Sequence, residues 1–270
     1  MLRMFFVWVS MFVFSLAGCE GRKGSSVEEG KPIQEGQEEE RPQGEERPKP
    51  KVSITWIGHA CFAIRSSGGF VIVTDPYSNI GYKNPNQYPD IVANAITVSH
   101  EHSDHNAVGF VNQVPGGAKV IRGSGEHLVD GVRIKGIGTY HDEVQGAQRG
   151  PNTVFVMEVD GIRICHLGDL GHLLSEAQLS EIGAVDVLMI PVGGVYTIDA
   201  AKATMVLEQI RPRIAIPMHY KTPPLSFSLD PVDKFLSGKE GVEKPGTDTI
   251  TLTPGELPDP VKIVVLDYRR

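Results

Sequence analysis

The sequence predicts an α/β (α+β) fold in which mixed β-sheets are covered by helices. Apolar runs of strand length recur from Val52 to the C-terminus, and turn residues such as Gly68-Gly69 separate them. The early runs follow one another as in a β-meander, whereas the later runs alternate with segments of helical periodicity. Hydrophobic residues make up 40% of the 270 residues, which is ample for a core.

The predicted strands combine β-branched and apolar residues between turn signals. The dipeptide Asp160-Gly161 joins two of them and is typical of a tight hairpin. We expect strands at 52–59, 61–66, 70–76, 95–98, 119–122, 132–141, 153–159, 162–169, 185–193, 213–219, 247–253 and 261–267.

Three segments are predicted to be helices, and each begins at a residue that can cap it. Ser175 opens 175–182, and Asp230 precedes 231–238. The segment 199–210 carries an apolar face at helical spacing, formed by Ala203, Val206, Leu207 and Ile210.

The first 19 residues differ from the rest of the chain. Arg3 is the lone early charge, and the apolar run 4–17 is too short to span a bilayer, which takes about 20 residues. Its length is typical of a signal peptide, and the ending 16–19 resembles the lipobox of bacterial lipoproteins. The resemblance implies a lipid-modified Cys19 and an exported, membrane-anchored lipoprotein that faces the periplasm or cell surface. An ordinary cleaved signal with an incidental cysteine is the alternative.

Residues 20–51 are predicted to be a disordered polar tether. They are mostly Glu, Gly, Pro, Lys and Gln, and only Val27 and Ile33 are large and apolar. The net charge of −7 comes without a basic cluster, so nothing indicates a nucleic-acid partner. Because the apolar runs of strand length begin at Val52, after the tether, the domain that carries the activity is expected at 52–270.

Two further features of the chain allow more than one interpretation. The irregular segment 77–90 is long for a loop inside a compact domain, and we expect it to line a substrate cleft. Cys61 and Cys165 could pair in an exported protein, but both lie in apolar strand-like runs. Small, unpaired core residues are the favoured interpretation.

A short stretch after the strand 95–98 concentrates metal-binding side chains. His100, His102, Asp104 and His105 occupy four of six consecutive positions. Residues two apart in an extended segment point the same way, so His100 and His102 can reach one metal together, while Asp104 and His105 could face a second. Imidazole and carboxylate are ligands that zinc, manganese and iron accept. A His-rich surface loop is the alternative.

Three distant residues could complete a metal site, since each ends or follows a strand-like run. They are His141, Asp169 and His219. A histidine at a strand end is common in a protein core, so each residue alone is weak evidence. Their joint occurrence favours a site at one edge of the sheets.

The order of these residues resembles the signature of the metallo-β-lactamase superfamily, H-x-H-x-D-H followed by His, Asp and His. The local sequences WIGHACFAI, VTDPY, HLGDLGH, IPVGG and IPMHY are most similar to bacterial metal-dependent hydrolases related to ascorbate-6-phosphate lactonases. The similarity covers residues 52 to about 222 well. It implies an αββα four-layer sandwich, with two mixed sheets flanked by helices.

The resemblance also implies how the ligands divide between two divalent metal ions, of which zinc is favoured and manganese or iron is the alternative. His100, His102 and His141 would bind the first ion, and Asp104, His105 and His219 would bind the second. Asp169 would bridge the two. The β-lactamases of subclasses B1 and B2 carry cysteine at the position of Asp169, and this difference argues against a β-lactamase of subclass B1 or B2, so a β-lactamase is the less favoured activity.

These ligands predict a hydrolase that cleaves an ester, lactone or phosphodiester in a small-molecule substrate. Two cations about 3.5–4 Å apart can share a hydroxide and make it a nucleophile at neutral pH. Asp104 and Asp169 would orient the hydroxide and accept its proton. A metal-binding or sensor module without catalysis is the alternative function.

Other polar residues have both a functional and a structural interpretation. His59 could lie at the mouth of the site as a proton donor or substrate contact, or make a structural hydrogen bond. Asp75 is expected to orient ligands or loop amides near 100–105, with a turn aspartate as the alternative. Tyr220 and Lys221 could meet an anionic substrate. His172 could approach the cleft, whereas His166 is expected to be structural, His127 a loop residue, and Gly193-Gly194 a point of close packing.

Overall fold

The computed structural model describes residues 49–270, which belong to one compact unit. The predicted signal peptide 1–19, the lipidated Cys19 and nearly all of the tether 20–51 lie outside the described residues. Among the described helices, none is both long and apolar enough to cross a membrane.

The strands and helices largely follow the apolar runs of the sequence. The strands are β1 (Val52–Gly58), β2 (Cys61–Arg65), β3 (Val71–Thr74), β4 (Val92–Ala93), β5 (Ala95–Val98), β6 (Asn112–Gln113), β7 (Lys119–Arg122), β8 (Gly125–Val129), β9 (Val132–Tyr140), β10 (Pro151–Val159), β11 (Ile162–His166), β12 (Val187–Pro191), β13 (Ile214–Met218), β14 (Val242–Glu243), β15 (Thr249–Leu252) and β16 (Lys262–Val264). The helices are α1 (Glu176–Ile182), α2 (Ala200–Ile210) and α3 (Asp233–Leu236).

Two mixed sheets form the fold, and the predicted α/β class is confirmed. One sheet has the strand order β15-β1-β2-β3-β5-β7, and the other has the order β14-β16-β13-β12-β11-β10-β9-β8. Strands β4 and β6 make a separate short ladder. In each sheet one part is an antiparallel meander and the other part is parallel. Parallel neighbours send their carboxyl ends to the same edge, which is where loops can gather side chains.

The first sheet is buried on both faces. Along β2, Phe62 and Ile64 join the main core between the sheets, while Cys61 and Ala63 join a second core on the outer face. This alternation is the period of two of a β-strand. In the described chain the outer core is covered by the irregular segment 77–91 instead of a helix, through residues such as Tyr82.

The prediction that 77–90 lines a substrate cleft is wrong. Its tyrosines turn inward, where the Tyr77 hydroxyl donates to the carbonyls of Ile57 and Lys83 and the Tyr82 hydroxyl bonds that of Thr222. The segment therefore serves as a layer of the fold. Its length reflects the area of sheet that it covers.

The helices pack against the main core, and α1 contacts β9 of the second sheet. Ala203, Val206 and Leu207 of α2 are buried in the main core. Asp199 accepts a hydrogen bond from the Lys202 amide and caps α2, and Ser175 caps α1 in the same way. Helix α3 is shorter than the predicted 231–238 and covers only Asp233–Leu236.

Strand β8 is an element that the sequence did not predict. Its residues Gly125–Val129 pair antiparallel with β9, and Val129 faces Val132 across the two-residue turn Asp130-Gly131. The strand lies at the edge of the sheet and is largely exposed, so its sequence lacks the apolar alternation of a buried strand. His127 therefore lies in a strand and not in a loop.

Both cysteines in the described chain are free and buried. Cys61 lies in β2 and Cys165 in β11, so the interpretation as unpaired core residues is confirmed.

Candidate metal centre

The predicted metal ligands converge because each follows a strand whose end reaches the same edge of the fold. The stretch from His100 to His105 follows β5, while His141 follows β9 directly. Asp169 lies three residues after β11, and His219 directly follows β13. His59 joins them from the end of β1. We call these eight residues the ligand cluster: His59, His100, His102, Asp104, His105, His141, Asp169 and His219.

Asp169 is the centre of the ligand cluster. One carboxylate oxygen, Oδ2, lies 3.2 Å from Nε2 of both His141 and His219, 3.3 Å from Nε2 of His105 and 3.8 Å from Nε2 of His100. Its side chain is only 3% exposed. One carboxylate thus lies against four histidines from three separate segments of the chain.

Asn152 holds the backbone of Asp169 in place. Its Oδ1 accepts a hydrogen bond from the Asp169 amide at 2.9 Å, and its Nδ2 donates to Thr139 Oγ1 and to the Leu167 carbonyl. Because both ends of the buried amide are bonded, the loop after β11 has one well-defined position. Asn152 could not be predicted from the sequence, since a single buried asparagine in a strand has no motif.

The cluster divides into two groups whose potential ligand atoms lie within 4.8 Å of one another. The first group is the one that the sequence implies for one metal, namely His100, His102 and His141. The second group contains Asp104, His105 and His219, which the sequence implies for the other metal. It also contains His59, which the sequence did not imply as a ligand. Asp169 touches members of both groups.

Asp75 orients histidines of both groups. Its buried carboxylate accepts hydrogen bonds from the Ser99 amide at 2.8 Å, from the Ser99 hydroxyl and from His105 Nδ1 at 2.9 Å. Because the Ser99 hydroxyl donates to Asp75, its oxygen accepts from His100 Nδ1, at 2.9 Å. We call this set of hydrogen bonds from Asp75 the relay. It places the proton of both histidines on Nδ1, so that Nε2 is free to face the centre, and carboxylates behind metal-binding histidines commonly act in this way.

The charges of the cluster favour metal binding. Burial and the neighbouring His105 lower the pKa of His100 to about 3, so its ring is neutral at pH 7. Burial alone would raise the pKa of Asp169, but the imidazoles of His105 and His219 outweigh it and hold that pKa well below its usual range. Burial would likewise lower the pKa of His105, but Asp169, Asp104 and Asp75 together raise it. The neutral ring of His100 and the ionised carboxylate of Asp169 can therefore bind a cation, and the raised pKa of His105 shows that the three carboxylates around it favour positive charge.

Unpartnered polar atoms show that the cluster fits a metal ion. Among the described residues, His100 Nε2, His105 Nε2 and Asp169 Oδ1 are buried without any hydrogen-bond partner. Such atoms are costly in a protein interior unless something else binds them. The groups contain only imidazole and carboxylate donors, which suit Zn²⁺, Mn²⁺ or Fe²⁺, and no thiol takes part in them.

His59 does not lie at the mouth of the site, so that prediction is wrong. Its side chain is 0% exposed, and its Nε2 lies 3.1 Å from Asp104 Oδ2. Its ring lies 4.1 Å from the ring of His219. The His59 carbonyl accepts from Trp56 Nε1 and from the His219 amide, and the backbone is left-handed with φ of 54°. His59 therefore braces Asp104 from inside the protein.

Several other polar residues predicted to have a role lie away from the centre. His166 donates to the Ala60 carbonyl and accepts from the Gly168 amide, so it is structural as predicted. His172 accepts from the Tyr140 amide and donates to the Leu173 carbonyl, and does not reach the cleft. Tyr220 is buried against Trp56, and Lys221 Nζ donates to the Leu225 and Phe227 carbonyls. The prediction that Tyr220 and Lys221 meet the substrate is wrong.

Gly193 shows how closely the loops pack around the site. A Cβ at this position would lie 2.1 Å from the His219 carbonyl oxygen, so no side chain fits there. The prediction of close packing at Gly193-Gly194 is confirmed. The loop after β12 is thereby pressed against the residue that carries one of the ligands.

A cavity of about 250 Å³ opens over the ligand cluster and exposes His102, Asp104, His141, Asp169 and His219. Three further residues line it and were not predicted, namely Arg149, Tyr196 and Phe227. We call these three the rim. Each lies in a loop that follows a strand of the second sheet whose end lies at the site, namely β9, β12 or β13. That position along the chain is the one sequence feature by which the three residues could have been predicted.

Comparisons with known proteins cover the part of the chain that contains the ligand cluster. Residues 53–219 match the family described as "Beta-lactamase superfamily domain". The chain belongs to the metallo-β-lactamase superfamily. The matched range contains every residue of the ligand cluster, and the family predicted from the sequence is confirmed. Residues 1–52 lie outside the match.

Relatives within this superfamily carry the name "UPF0173 metal-dependent hydrolase". One from Archaeoglobus fulgidus is 28% identical over 232 residues, which cover 76% of this chain and 97% of the relative. Another from Methanoculleus marisnigri is 34% identical over 195 residues, which cover 63% of this chain and 82% of the relative.

Solved structures of other metal-dependent hydrolases share the fold. A protein from Thermotoga maritima, proposed to be a Zn-dependent hydrolase, has 42% identity and a TM-score of 0.65 over 80% of this chain and 98% of its own. A metallohydrolase from Ignicoccus hospitalis, Igni18, has 25% identity and a TM-score of 0.57 over 75% of this chain and 98% of its own.

Proposed function

We propose that this protein is a hydrolase with a dinuclear metal centre that cleaves an ester, lactone or phosphodiester of a small molecule. The position of Asp169 is the observation that carries the proposal. Its Oδ2 contacts Nε2 of His100 and His141 in one group and Nε2 of His105 and His219 in the other. A carboxylate in that position is suited to bridge two cations.

Each group of histidines would hold one divalent ion, with Asp169 shared between them. When bound, such ions supply Lewis acidity and lower the pKa of water, so that a nucleophile forms at neutral pH. Asp104 faces the cavity with 19% of its side chain exposed, and it would orient the attacking water and accept its proton. His59 would keep the Asp104 carboxylate in that orientation through the 3.1 Å contact.

The relatives support the same class of activity. The proteins of Archaeoglobus fulgidus and Methanoculleus marisnigri are named metal-dependent hydrolases, and the one from Thermotoga maritima is proposed to depend on zinc. Zinc is therefore the first ion to test, and manganese and iron are the alternatives.

Metal content and hydrolysis, measured on the same preparation, test this proposal. The protein is stripped with a chelator and reloaded with Zn²⁺, Mn²⁺ or Fe²⁺, and bound metal is counted by mass spectrometry. Activity is followed on bis(4-nitrophenyl) phosphate, 4-nitrophenyl butyrate, a γ-lactone and a chromogenic β-lactam. We expect two equivalents of metal and metal-dependent hydrolysis of at least one ester, lactone or phosphodiester.

The same measurement separates the alternatives. One equivalent of metal at saturation would contradict the dinuclear centre. Two equivalents without hydrolysis of any probe would favour a metal-binding module, and cleavage of the β-lactam alone would favour a β-lactamase.

We also propose that the protein is anchored to a membrane through a lipid on Cys19. The support is the apolar run 4–17 and the lipobox-like ending 16–19, which precede the family match that begins at residue 53. In bacterial cells fed labelled palmitate, Cys19→Ala is expected to lose the label and leave the membrane fraction. Cys61→Ala is the matched control and should keep both. Labelling of the Cys19→Ala variant would refute the anchor.

A further inference from the structure

The rim contains a cation that the metal chemistry does not use. Arg149 lies beside the ligands His102 and His141 in the lining of the cavity over the cluster. It is the one Lys or Arg side chain in that lining. Arg149 also lines two neighbouring depressions, so it lies between the cavity and both of them.

The guanidinium of Arg149 is positioned but not neutralised. Its Nη2 donates to the Val195 carbonyl at 3.0 Å, and its Cζ lies 5.6 Å from the centre of the Tyr196 ring. No carboxylate in residues 49–270 lies within ion-pair distance of it, whereas Arg122 and Arg133, which are also exposed, each pair with a glutamate. Nε and Nη1 keep their donors for a ligand.

The backbone that carries Arg149 is unusually well held for an exposed loop. The Asp142 carboxylate accepts four backbone N–H bonds, from Val144, Gly146, Gln148 and Arg149 itself. Burial would raise the pKa of Asp142, but these donors outweigh it and lower it to about 2. The loop 142–150 thus extends from the ligand His141 as a fixed arm with Arg149 at its end.

The second contact of Arg149 comes from a strained turn. Val195 has a left-handed backbone with φ of 59°, which is a rare conformation for a β-branched residue. The turn follows Gly193, which is pressed against His219, and it aims the Val195 carbonyl at Arg149. Strain of this kind persists where the surrounding structure enforces it, and it concentrates at binding sites.

The other side of the cavity is apolar. The Phe227 ring packs edge-on against His59 at 5.7 Å, and its backbone carbonyl accepts from Lys221 Nζ. Tyr196 is 42% exposed and forms the wall beneath the guanidinium. The cavity therefore offers one cation and two aromatic rings on top of the metal ligands.

We propose that Arg149 determines specificity by binding an oxyanion, a carboxylate or a phosphate, on the substrate at a point removed from the bond that is cleaved. Tyr196 and Phe227 flank the chain that joins the two. The proposal rests on the hydrolase function proposed above, because it names the substrate class of the same cavity. A planar guanidinium with free donors suits a carboxylate or phosphate, and a charge-assisted bond of this type discriminates strongly against a neutral analogue.

A matched set of esters tests this role of Arg149. The probes are 4-nitrophenyl butyrate, which is neutral, mono-4-nitrophenyl succinate, which carries a carboxylate, and 4-nitrophenyl 3-phosphonopropionate, which carries a phosphonate. The metal-loaded protein is compared with its Arg149→Ala and Arg149→Lys variants. Arg133→Ala removes an exposed positive charge from β9, away from the cavity lining, and is the control.

We expect Arg149→Ala to lower kcat/KM for the anionic ester that the parent prefers by about tenfold or more, chiefly through KM. The neutral ester should change less than about twofold, and the Lys variant should recover part of the loss. Whichever anionic ester the parent prefers identifies the oxyanion. An equal loss on neutral and anionic esters, or no loss on either, would overturn the proposal.

A binding measurement keeps this outcome separate from that of the proposed function. The 4-nitroanilides corresponding to the three esters are titrated calorimetrically into the metal-loaded parent and Arg149→Ala proteins. If no ester is hydrolysed but the anionic anilides bind the parent tightly and the variant weakly, the hydrolase proposal fails and the role of Arg149 stands. If the anionic anilides bind no better than the neutral one, the oxyanion site is refuted.

Discussion

The ligand cluster and the rim lie within one cavity but are built in different ways. In the cluster, His59, His105 and Asp169 are almost completely buried, and carboxylates or amides cross-brace the ring positions. In the rim, Tyr196 and Arg149 are exposed and depend on a few contacts between two loops. The comparison indicates that the chemistry is placed in a rigid interior, while recognition is left to loops that can change without disturbing it.

If that contrast is correct, changes at the predicted metal ligands and at Asp75 should reduce metal binding and activity together, and changes in the rim should alter only the preference between substrates. The following variants test the contrast, beginning with the one expected to have the largest effect.

Replacing Asp169 should have the largest effect. In Asp169→Ala the two groups lose the oxygen that they share, so we expect no more than one equivalent of metal to remain. The loss in kcat/KM should exceed about 100-fold, because even outer partners of metal ligands typically cost about 10–100-fold. Asp233→Ala, an exposed change on α3, is the control. Full metal content and an unchanged rate in Asp169→Ala would contradict the dinuclear proposal.

Replacing Asp75 should weaken metal binding, although Asp75 is predicted to orient ligands and not to bind the metal itself. Asp75→Asn turns an amide donor toward His105 Nδ1 or the Ser99 hydroxyl and disturbs the tautomers of His100 and His105. We expect metal affinity to fall by about 10–100-fold, measured by competition with a chromogenic chelator. Ser99→Ala breaks only the branch to His100 and should cost less. The relay is incorrect if Ser99→Ala is as damaging as Asp75→Asn.

Replacing His59 should affect the rate more than the metal content. His59→Phe removes the partner of Asp104 while retaining a ring against His219 and Phe227. We expect kcat to fall by about tenfold, which is the value of roughly one hydrogen bond to a charged group. His127→Ala on β8 is the control. Loss of a metal equivalent in His59→Phe would instead make His59 a ligand of the second group.

Loosening the arm of the rim should have the smallest effect. Asp142→Asn can still accept two of the four backbone N–H bonds but turns its amide toward the other two donors. We expect KM for the preferred anionic ester to rise by a few fold, or about 0.5–1.5 kcal/mol, with kcat and metal content retained. A fall in metal content would show that the arm and the cluster are not independent.

Much of the ligand cluster could be predicted from the sequence because four of its members lie within six residues. The distant ligands were accessible for a related reason, since strand ends bring His141, Asp169 and His219 to one edge. The orientation of His59 was not accessible, because whether a strand-end histidine points outward or inward depends on the loops that close over it. Ser99 and Asn152 were missed because a single buried hydroxyl or amide has no sequence pattern.

The strands of the fold were predictable where both faces are buried and the apolar runs are continuous. Edge strand β8 was not, because one side of it faces solvent and its register comes from pairing with β9. The rim was missed for a different reason. The contact between Arg149 and Val195 joins loops that are far apart in sequence, and it depends on tertiary packing such as that of Gly193 on His219.

The irregular layer over the first sheet gives the protein an optical reporter. Its hydroxyls are shielded, so burial raises the pKa of Tyr77 and Tyr88 above the usual range and raises that of Tyr82 to about 12. Alkaline titration followed by the ultraviolet absorbance of phenolate would therefore show a delayed class of tyrosines. That class disappears when the layer separates from the sheet, so the ultraviolet absorbance of these tyrosines reports whether the layer is intact.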